Sequence, residues 1–284
     1  MNYEEYLQKR GLSQNTIRSY VLTAGQLDEL CPVIDRRSLA CFRETLARKY
    51  APASVNQKIQ AANSYLDYRG LGHLRIRSVG VPSRRYLQKT LSLSDYGRLK
   101  SWLRKNELRT YYFSVQIMAK TGVRVSELMR LTVNDARKGY GDVCGKGGKL
   151  RRVYFPGGLQ TELEEWLDSR EPKFISHDSR HVTGTITSGQ EAKQPLMLNR
   201  FGKPLSPRGL SGQLKIYAQR CGVNPALVHP HAFRHLFARQ FLAHGGDIAL
   251  LADLLGHSSL ETTRIYLRQT AEEQRACIDE LICW

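Results

Sequence analysis

A break in helical periodicity between Gly70 and Thr90 constrains the fold of this chain more than any other feature of its sequence. On both sides of the break, apolar residues recur at the three- and four-residue spacings of amphipathic helices. Glycines, a proline and five arginines crowd the break and its flank. Such a stretch is typical of a basic linker between domains. We therefore predict two domains, residues 1–80 and 91–284, joined by a linker at 81–90.

The segment before the break is patterned as a small bundle of helices. Apolar spacing predicts one helix over Ser13–Leu30, with Ser13 as its N-cap, and a second over Ser38–Tyr50. A third helix is predicted over Ala53–Tyr68, with Ser54 as its N-cap. The sequence thus indicates an all-helical N-terminal domain.

Beyond Leu91 the chain is again patterned for helices, except in one short segment. Asp142–Phe155 contains two strand-like runs around the glycine-rich turn Gly145–Gly148, which predicts a β-hairpin. Helical patterns return from Ser211 to the C-terminus. The predicted fold class is mainly α with a small β-sheet, an N-terminal helical domain being followed by an α+β domain.

Two helix ends near the C-terminus are signalled by capping residues. Asp247 is predicted to begin a helix whose apolar stripe belongs to the core, and Gly256 to end it. Ser258 with Glu261 has the spacing of a capping box, which predicts a further short helix carrying Tyr266. His257 and Tyr266 would then be positioned by adjacent helix ends.

The charge of the chain favours a polyanionic partner. Its 43 Lys and Arg residues outweigh 26 Asp and Glu residues, which gives a formal net charge of +17. The excess is spread over the chain, at +8 in residues 1–90 and +9 in the remainder. This spread favours two basic surfaces that grip one DNA duplex over a single charged tail.

The sequence also predicts where the protein works and which sites it lacks. No apolar run is long enough for a membrane span or a signal peptide, so we expect a cytoplasmic protein with no membrane partner. The six cysteines form no CxxC pair and suggest neither disulfides nor a zinc site.

Three polar residues of the segment HPHAFRHLFARQ fall near one face of a predicted helix. His231 lies three residues before Arg234 and four before His235. Histidines four residues apart can bind zinc, but Ala232 occupies the position of the HExxH glutamate, so a metal site is not favoured.

Taken together and in order, the segments TGVRVSELMRL, HAFRHLFA and LLGHSSLETTRIY are similar to those of the tyrosine recombinase family. That family's signature is an arginine in a helix, a lysine in a hairpin turn, HxxR, LGH, and a tyrosine nine residues after that last histidine. The matching residues here are Arg124, Lys146, His231, Arg234, His257 and Tyr266. The resemblance covers nearly the whole chain.

The resemblance implies a catalytic role for each residue of the signature. Tyr266 would attack a DNA phosphate, with His231 helping to remove its proton. Arg124 and Arg234 would neutralise the charge that develops on the nonbridging oxygens, and His257 would bond one of them. Lys146 would protonate the departing 5′ oxygen, with Lys149 of the same turn as its rival.

Several charged residues beside the signature have no role implied. Glu127, three residues after Arg124, either orients that guanidinium or is a solvated surface charge. His235, Arg130 and the pair Arg151–Arg152 are unassigned, because a basic DNA-facing surface would account for them.

The resemblance also implies partners and a mode of action. The N-terminal domain would be a core-binding domain, and a homotetramer would act on double-stranded DNA recombination sites, with accessory proteins as possible partners. Cleavage would pass through a 3′-phosphotyrosine and a Holliday junction with neither ATP nor a metal. A type IB topoisomerase and a catalytically inactive DNA-binding factor are the alternatives.

Overall fold

The computed structural model describes residues 2–81, 90–145, 148–170, 194–257 and 259–267, with positions 275, 278, 279 and 282 beyond them. The chain divides into two compact units, Met1–Arg84 and Arg85–Trp284. Most of the linker predicted at 81–90 lies outside the described residues. No helix in the described ranges has the length and apolar character that a bilayer crossing requires.

The first unit is built from amphipathic helices packed around an apolar core. Side chains from three of its helices meet there, among them Leu27, Phe42 and Ile59, each almost completely buried. The helices are α1 (Tyr3–Lys9), α2 (Gln14–Leu30), α3 (Arg36–Lys49) and α4 (Pro52–Tyr68), followed by a 3₁₀ turn at Gly72–Leu74. The all-helical character predicted for this region is confirmed.

The capping residues predicted the start of one helix in the first unit correctly and the starts of two others less well. Ser13 caps α2 as predicted, because its hydroxyl accepts from the N–H of Thr16. Helix α3 begins two residues earlier than predicted, because Asp35 caps it and Ser38 closes the capping box. The prediction that Ser54 caps α4 is wrong: the helix begins at Pro52, whose fixed φ and missing N–H suit the first helical position.

The second unit is mainly helical and contains one two-stranded sheet. Helices before the sheet supply much of its core, which the helices after the sheet complete. In order the elements are α5 (Leu93–Lys105), α6 (Arg109–Thr121), α7 (Val125–Leu128), α8 (Val133–Lys138), β1 (Tyr140–Cys144), β2 (Leu150–Tyr154), α9 (Gly157–Asp168), α10 (Pro207–Arg220), α11 (Pro230–Ala243), α12 (Ile248–Leu255) and α13 (Leu260–Arg264). A 3₁₀ turn, Ile265–Leu267, directly follows α13.

The hairpin predicted between Asp142 and Phe155 is confirmed. Strands β1 and β2 pair antiparallel, with Tyr140 opposite Tyr154 and Cys144 opposite Leu150. Lys146 and Gly147 of the connecting turn lie outside the described residues.

Asp247 and Gly256 bound helix α12 as predicted. The carboxylate of Asp247 accepts from two backbone N–H groups, and Gly256 adopts the left-handed conformation that ends the helix. The capping box predicted at Ser258 is wrong, because Ser259 caps α13 by accepting from the N–H of Glu261. Ser258 itself lies outside the described residues.

Candidate active site

Arg124 is the N-cap of helix α7, where it donates two hydrogen bonds to Glu127. One carboxylate oxygen of Glu127 accepts from the Arg124 backbone N–H and the other from its guanidinium, both at 2.8 Å. Only 2% of Glu127 is exposed. Burial alone would raise the pKa of Glu127, but the Arg124 N–H and the charge of Arg151 outweigh it and hold the pKa below its usual value. Glu127 therefore orients Arg124 as a carboxylate and is not a solvated surface charge.

Arg234 projects from helix α11 into the interior, where only 3% of it is exposed. Its guanidinium donates to the carbonyl oxygens of Gly122 at 2.7 Å and Leu255 at 2.6 Å; Gly122 is the C-cap of helix α6, and Leu255 is the last residue of helix α12. Burial and then the charge of Arg124 lower the pKa of Arg234 to about 10. The group remains a cation at neutral pH, so the site holds a buried positive charge.

Gly122 allows this close approach of helix ends. It has φ of +65°, and a Cβ at this position would lie 2.5 Å from the ring of Phe237. A larger residue would push helix α6 away from α11 and take the carbonyl of Gly122 away from Arg234.

His257 follows Gly256 and is fixed by both of its ring nitrogens. Nε2 lies 3.0 Å from the guanidinium of Arg234, and Nδ1 lies 2.9 Å from the hydroxyl of Thr263. Since arginine can only donate, Nε2 is the acceptor and Nδ1 carries the proton. Burial and the charge of Arg234 lower the pKa of His257 to about 4, so the ring is neutral at pH 7.

Tyr266 lies in the 3₁₀ turn after α13, with only 7% of its surface exposed. Its ring stacks on that of His257, with centroids 6.1 Å apart, and forms a T-shaped pair with that of His235, with centroids 4.9 Å apart. Its phenol is close enough to Arg234 to raise the pKa of that guanidinium. The tyrosine of the signature thus sits beside an arginine and a histidine of its own chain.

His231 has a different place from the other signature residues. It is exposed in the first turn of α11, and the described contacts of the Tyr266 ring involve His235 and His257. The sequence indicates no role for His235, although its spacing from His231 predicts that both lie on one helix face. Nδ1 of His235 is buried without a hydrogen-bond partner among the described residues. Burial, then the neighbouring histidines, lower the pKa of His235.

The two lysines of the hairpin turn are not distinguished by the described contacts. Lys146 lies outside the described residues, and the side chain of Lys149 is exposed. The backbone carbonyl of Lys149 accepts from Gly145, which closes the turn at 2.8 Å. A side chain at Gly145 would begin 3.7 Å from the Arg124 guanidinium, so this turn lies next to the arginine.

Arg151 and Arg152 are adjacent in sequence but lie in two different environments. Arg151 is 7% exposed and pairs with Glu127 at 2.7 Å. Arg152 is 44% exposed and pairs with Asp142 on the opposite face of the hairpin. Strand alternation was the available signal, because Arg151 and the buried Val153 share one face.

The described part of the chain contains no group of three or more His, Cys, Asp or Glu residues placed to hold a metal ion. The polar centre is instead cationic: the guanidiniums of Arg124 and Arg151 contact the carboxylate of Glu127, and Arg234 lies near enough to both for their charges to lower its pKa. Such a centre is suited to an anionic group such as a phosphate.

Comparison with known proteins identifies related chains. Residues 89–273 match the model of the phage integrase family. A tyrosine recombinase XerA from Pyrococcus furiosus is 32% identical over 283 residues, which cover 98% of this chain and 91% of the relative.

Two solved structures show a similar fold. A XerH site-specific recombinase bound to a palindromic difH substrate, in a post-cleavage complex, has a TM-score of 0.69 at 21% identity, covering 95% of this chain and 82% of that one. A lambda integrase tetramer bound to a Holliday junction has a TM-score of 0.70 at 16% identity, covering 94% and 75% of the two chains.

Proposed function

This chain belongs to the phage integrase family and is a tyrosine recombinase that cleaves and rejoins DNA, and we propose that Tyr266 is its nucleophile. The observation that carries the proposal is the packing of the Tyr266 ring against His257 and beside Arg234 within one chain. A buried phenol next to a fixed cation is suited to attack on a phosphate that the same cation binds.

The first step of the proposed reaction forms one bond to phosphorus and breaks another. The Tyr266 oxygen bonds to the scissile phosphorus, the bond from phosphorus to the 5′ oxygen breaks, and a 3′-phosphotyrosine and a free 5′-hydroxyl result. Because a phosphodiester is present before and after the step, rejoining needs no external energy source. A 5′-hydroxyl from the partner duplex attacks the phosphotyrosine and restores the phenol.

The two signature arginines neutralise the phosphate in this proposal. Two guanidiniums can hold the nonbridging oxygens by charge-assisted hydrogen bonds and stabilise the charge that develops on them. Arg124, oriented by Glu127, and Arg234, held by two helix-end carbonyls, have the rigidity that this role demands.

His257 contributes a hydrogen bond to the phosphate in the same proposal. Burial and then the charges of Arg234, Arg124 and Arg151 hold its pKa low, and a bound phosphate would offset those charges and raise that pKa. Protonation of Nε2 would convert it from an acceptor into a donor toward a nonbridging oxygen.

The two proton transfers rest on the resemblance to the family. His231 takes the phenol proton and Lys146 gives a proton to the 5′ oxygen, with Lys149 as the alternative acid. His231 lies in the first turn of the helix that also carries His235, the neighbour of Tyr266, and it would approach Tyr266 in the DNA-bound state.

The assembly is proposed on the same basis. We assign DNA binding to residues 1–80 and chemistry to residues 91–284, with a linker at 81–90, because both parts are basic and the signature lies in the second. A homotetramer on two recombination sites, acting through a Holliday junction, is supported by the lambda integrase tetramer of similar fold. We also propose that accessory proteins take part in recombination and that the protein acts in the cytoplasm, where its DNA is found.

A nicked suicide substrate tests the nucleophile. Wild-type protein should become covalently attached to DNA in a denaturing gel, whereas Tyr266→Phe should bind the site and form no adduct. An adduct with the Phe variant would assign the nucleophile to another residue.

The products separate the alternative functions. A recombinase joins strands from two duplexes, a type IB topoisomerase only relaxes supercoils in one, and an inactive DNA-binding factor leaves both unchanged. Joined products from two site-bearing plasmids are the result that the proposal expects.

A further inference from the structure

Arg151 makes two strong polar contacts that no part of the family signature explains. Its guanidinium donates to Glu127 at 2.7 Å and to the backbone carbonyl of Leu254 at 2.6 Å. Arg151 lies on strand β2, Glu127 on α7 and Leu254 in the last turn of α12. One side chain therefore joins three elements of the site.

The two elements that Arg151 reaches are adjacent to signature residues. Glu127 orients Arg124 through two hydrogen bonds, and the turn after Leu254 leads through Gly256 into His257. The backbone of Gly256 packs directly on the Arg151 stem, since a Cβ on Gly256 would lie 2.6 Å from Cδ of Arg151. Movement of Arg151 would thus displace the supports of both Arg124 and His257.

The charge of Arg151 also belongs to the cationic centre. Burial lowers the pKa of Arg151, while Glu127 opposes that shift. Without Glu127, the guanidiniums of Arg124, Arg151 and Arg234 would repel one another, so it is the carboxylate that holds Arg151 close to Arg124.

We propose that Arg151 is a positioning residue for strand cleavage, which acts by fixing Arg124 through Glu127 and His257 through the end of helix α12. This inference rests on the proposed function of Tyr266 and the two signature arginines. Arg151 does not touch the reacting phosphate in this account. Its effect is to keep the guanidinium and imidazole in the geometry that neutralises the phosphate.

Arg151→Lys tests the proposal because lysine keeps the charge but cannot span Glu127 and Leu254 together. We expect cleavage of a suicide substrate to slow about 10²-fold, the size of effect that small misplacement of catalytic groups produces. DNA affinity in a gel shift should stay unchanged. Arg152→Lys is the matched control, since it alters the next residue of the same strand on the exposed face, and it should cleave at the wild-type rate.

A methylphosphonate substrate separates positioning from general damage to the fold. Replacing one nonbridging oxygen with methyl removes the phosphate charge that Arg124 and His257 meet, so accurate placement of these groups matters less. The ratio of wild-type to Arg151→Lys rates should therefore fall below about tenfold on this substrate, in line with removal of a charge-stabilising contact. Arg124→Ala should show the same reduction in its ratio.

Two results would overturn the proposal: wild-type cleavage by Arg151→Lys, or an equal loss for that variant on both substrates. Arg151→Gln cannot span Glu127 and Leu254 and also removes one charge from the cationic centre, so it should reproduce the pattern; it decides the question if thermal unfolding shows that Arg151→Lys is not folded. The wild-type protein reports separately on the underlying function, because failure to form any Tyr266 adduct would refute that function and not the role of Arg151.

Discussion

Replacing Thr263 with valine should slow DNA cleavage by removing one hydrogen bond to His257. Thr263 is completely buried, and its hydroxyl lies 2.9 Å from Nδ1 of His257. Because Nε2 accepts from the Arg234 guanidinium, Nδ1 carries the proton, and the Thr263 hydroxyl accepts a hydrogen bond from that N–H. Valine has nearly the shape of threonine, so the substitution removes the acceptor and little else.

The size of the effect follows from the burial of that N–H group. A buried donor without a partner costs about 1–3 kcal/mol. If this cost falls on the transition state, cleavage slows by about 5- to 150-fold. Single-turnover cleavage of a nicked substrate by saturating protein resolves such a difference.

Thr263→Ser is the matched control, because it keeps the hydroxyl and loses one methyl group. We expect it to cleave much faster than Thr263→Val, with thermal unfolding confirming that both variants are folded. Wild-type cleavage by the valine variant, or an equal loss in both variants, would refute the reasoning.

Three further results are expected. The free energy of unfolding should fall by about 1–2 kcal/mol between pH 7 and pH 5, and it should fall by less in His257→Gln. The reason is that the pKa of His257 is about 4 in the folded protein and about 6.5 in the unfolded chain. The stability that the neutral His257 contributes is present above about pH 6.5 and is lost as the pH falls toward 4. Urea unfolding followed by tryptophan fluorescence measures it, since all three tryptophans lie in the second unit, and equal losses would contradict it. DNA affinity should fall about 10³- to 10⁵-fold between 50 and 200 mM salt if about 6–10 phosphates are contacted, and a flat response in a binding titration would exclude such a clamp. A bridging 5′-phosphorothiolate should restore cleavage by Lys146→Ala but not by Arg124→Ala, because a thiolate leaves without a proton; rescue of Lys149→Ala alone would make Lys149 the acid.

Local sequence signals predicted most of the fold. Ser13, Asp247 and Gly256 lie where the sequence placed helix ends, because capping groups act on neighbouring backbone. The errors at Ser54 and Ser258 have the same origin. Several residues near a helix start can supply a cap, and the packing of the helix decides which one does.

The candidate site was predicted less completely, because its supports are distant in sequence. Arg151 lies 103 residues from Leu254, whose carbonyl it meets, so only the folded chain shows that it is buried. The contact of His235 with Tyr266 depends on how helix α11 packs against the 3₁₀ turn that carries Tyr266. No sequence signal separates Thr263 from other polar residues of the same helix, because its hydrogen bond to His257 exists only in the folded chain.

The most direct test of the account identifies the residue that is bonded to DNA. Protein trapped on a suicide substrate can be digested with nuclease and trypsin, and the nucleotide-bearing peptide sequenced by mass spectrometry. The account predicts a nucleotide joined through its 3′-phosphate to Tyr266, in the tryptic peptide spanning residues 265–268. A nucleotide on any other residue, or a 5′-phosphate linkage to Tyr266, would contradict it.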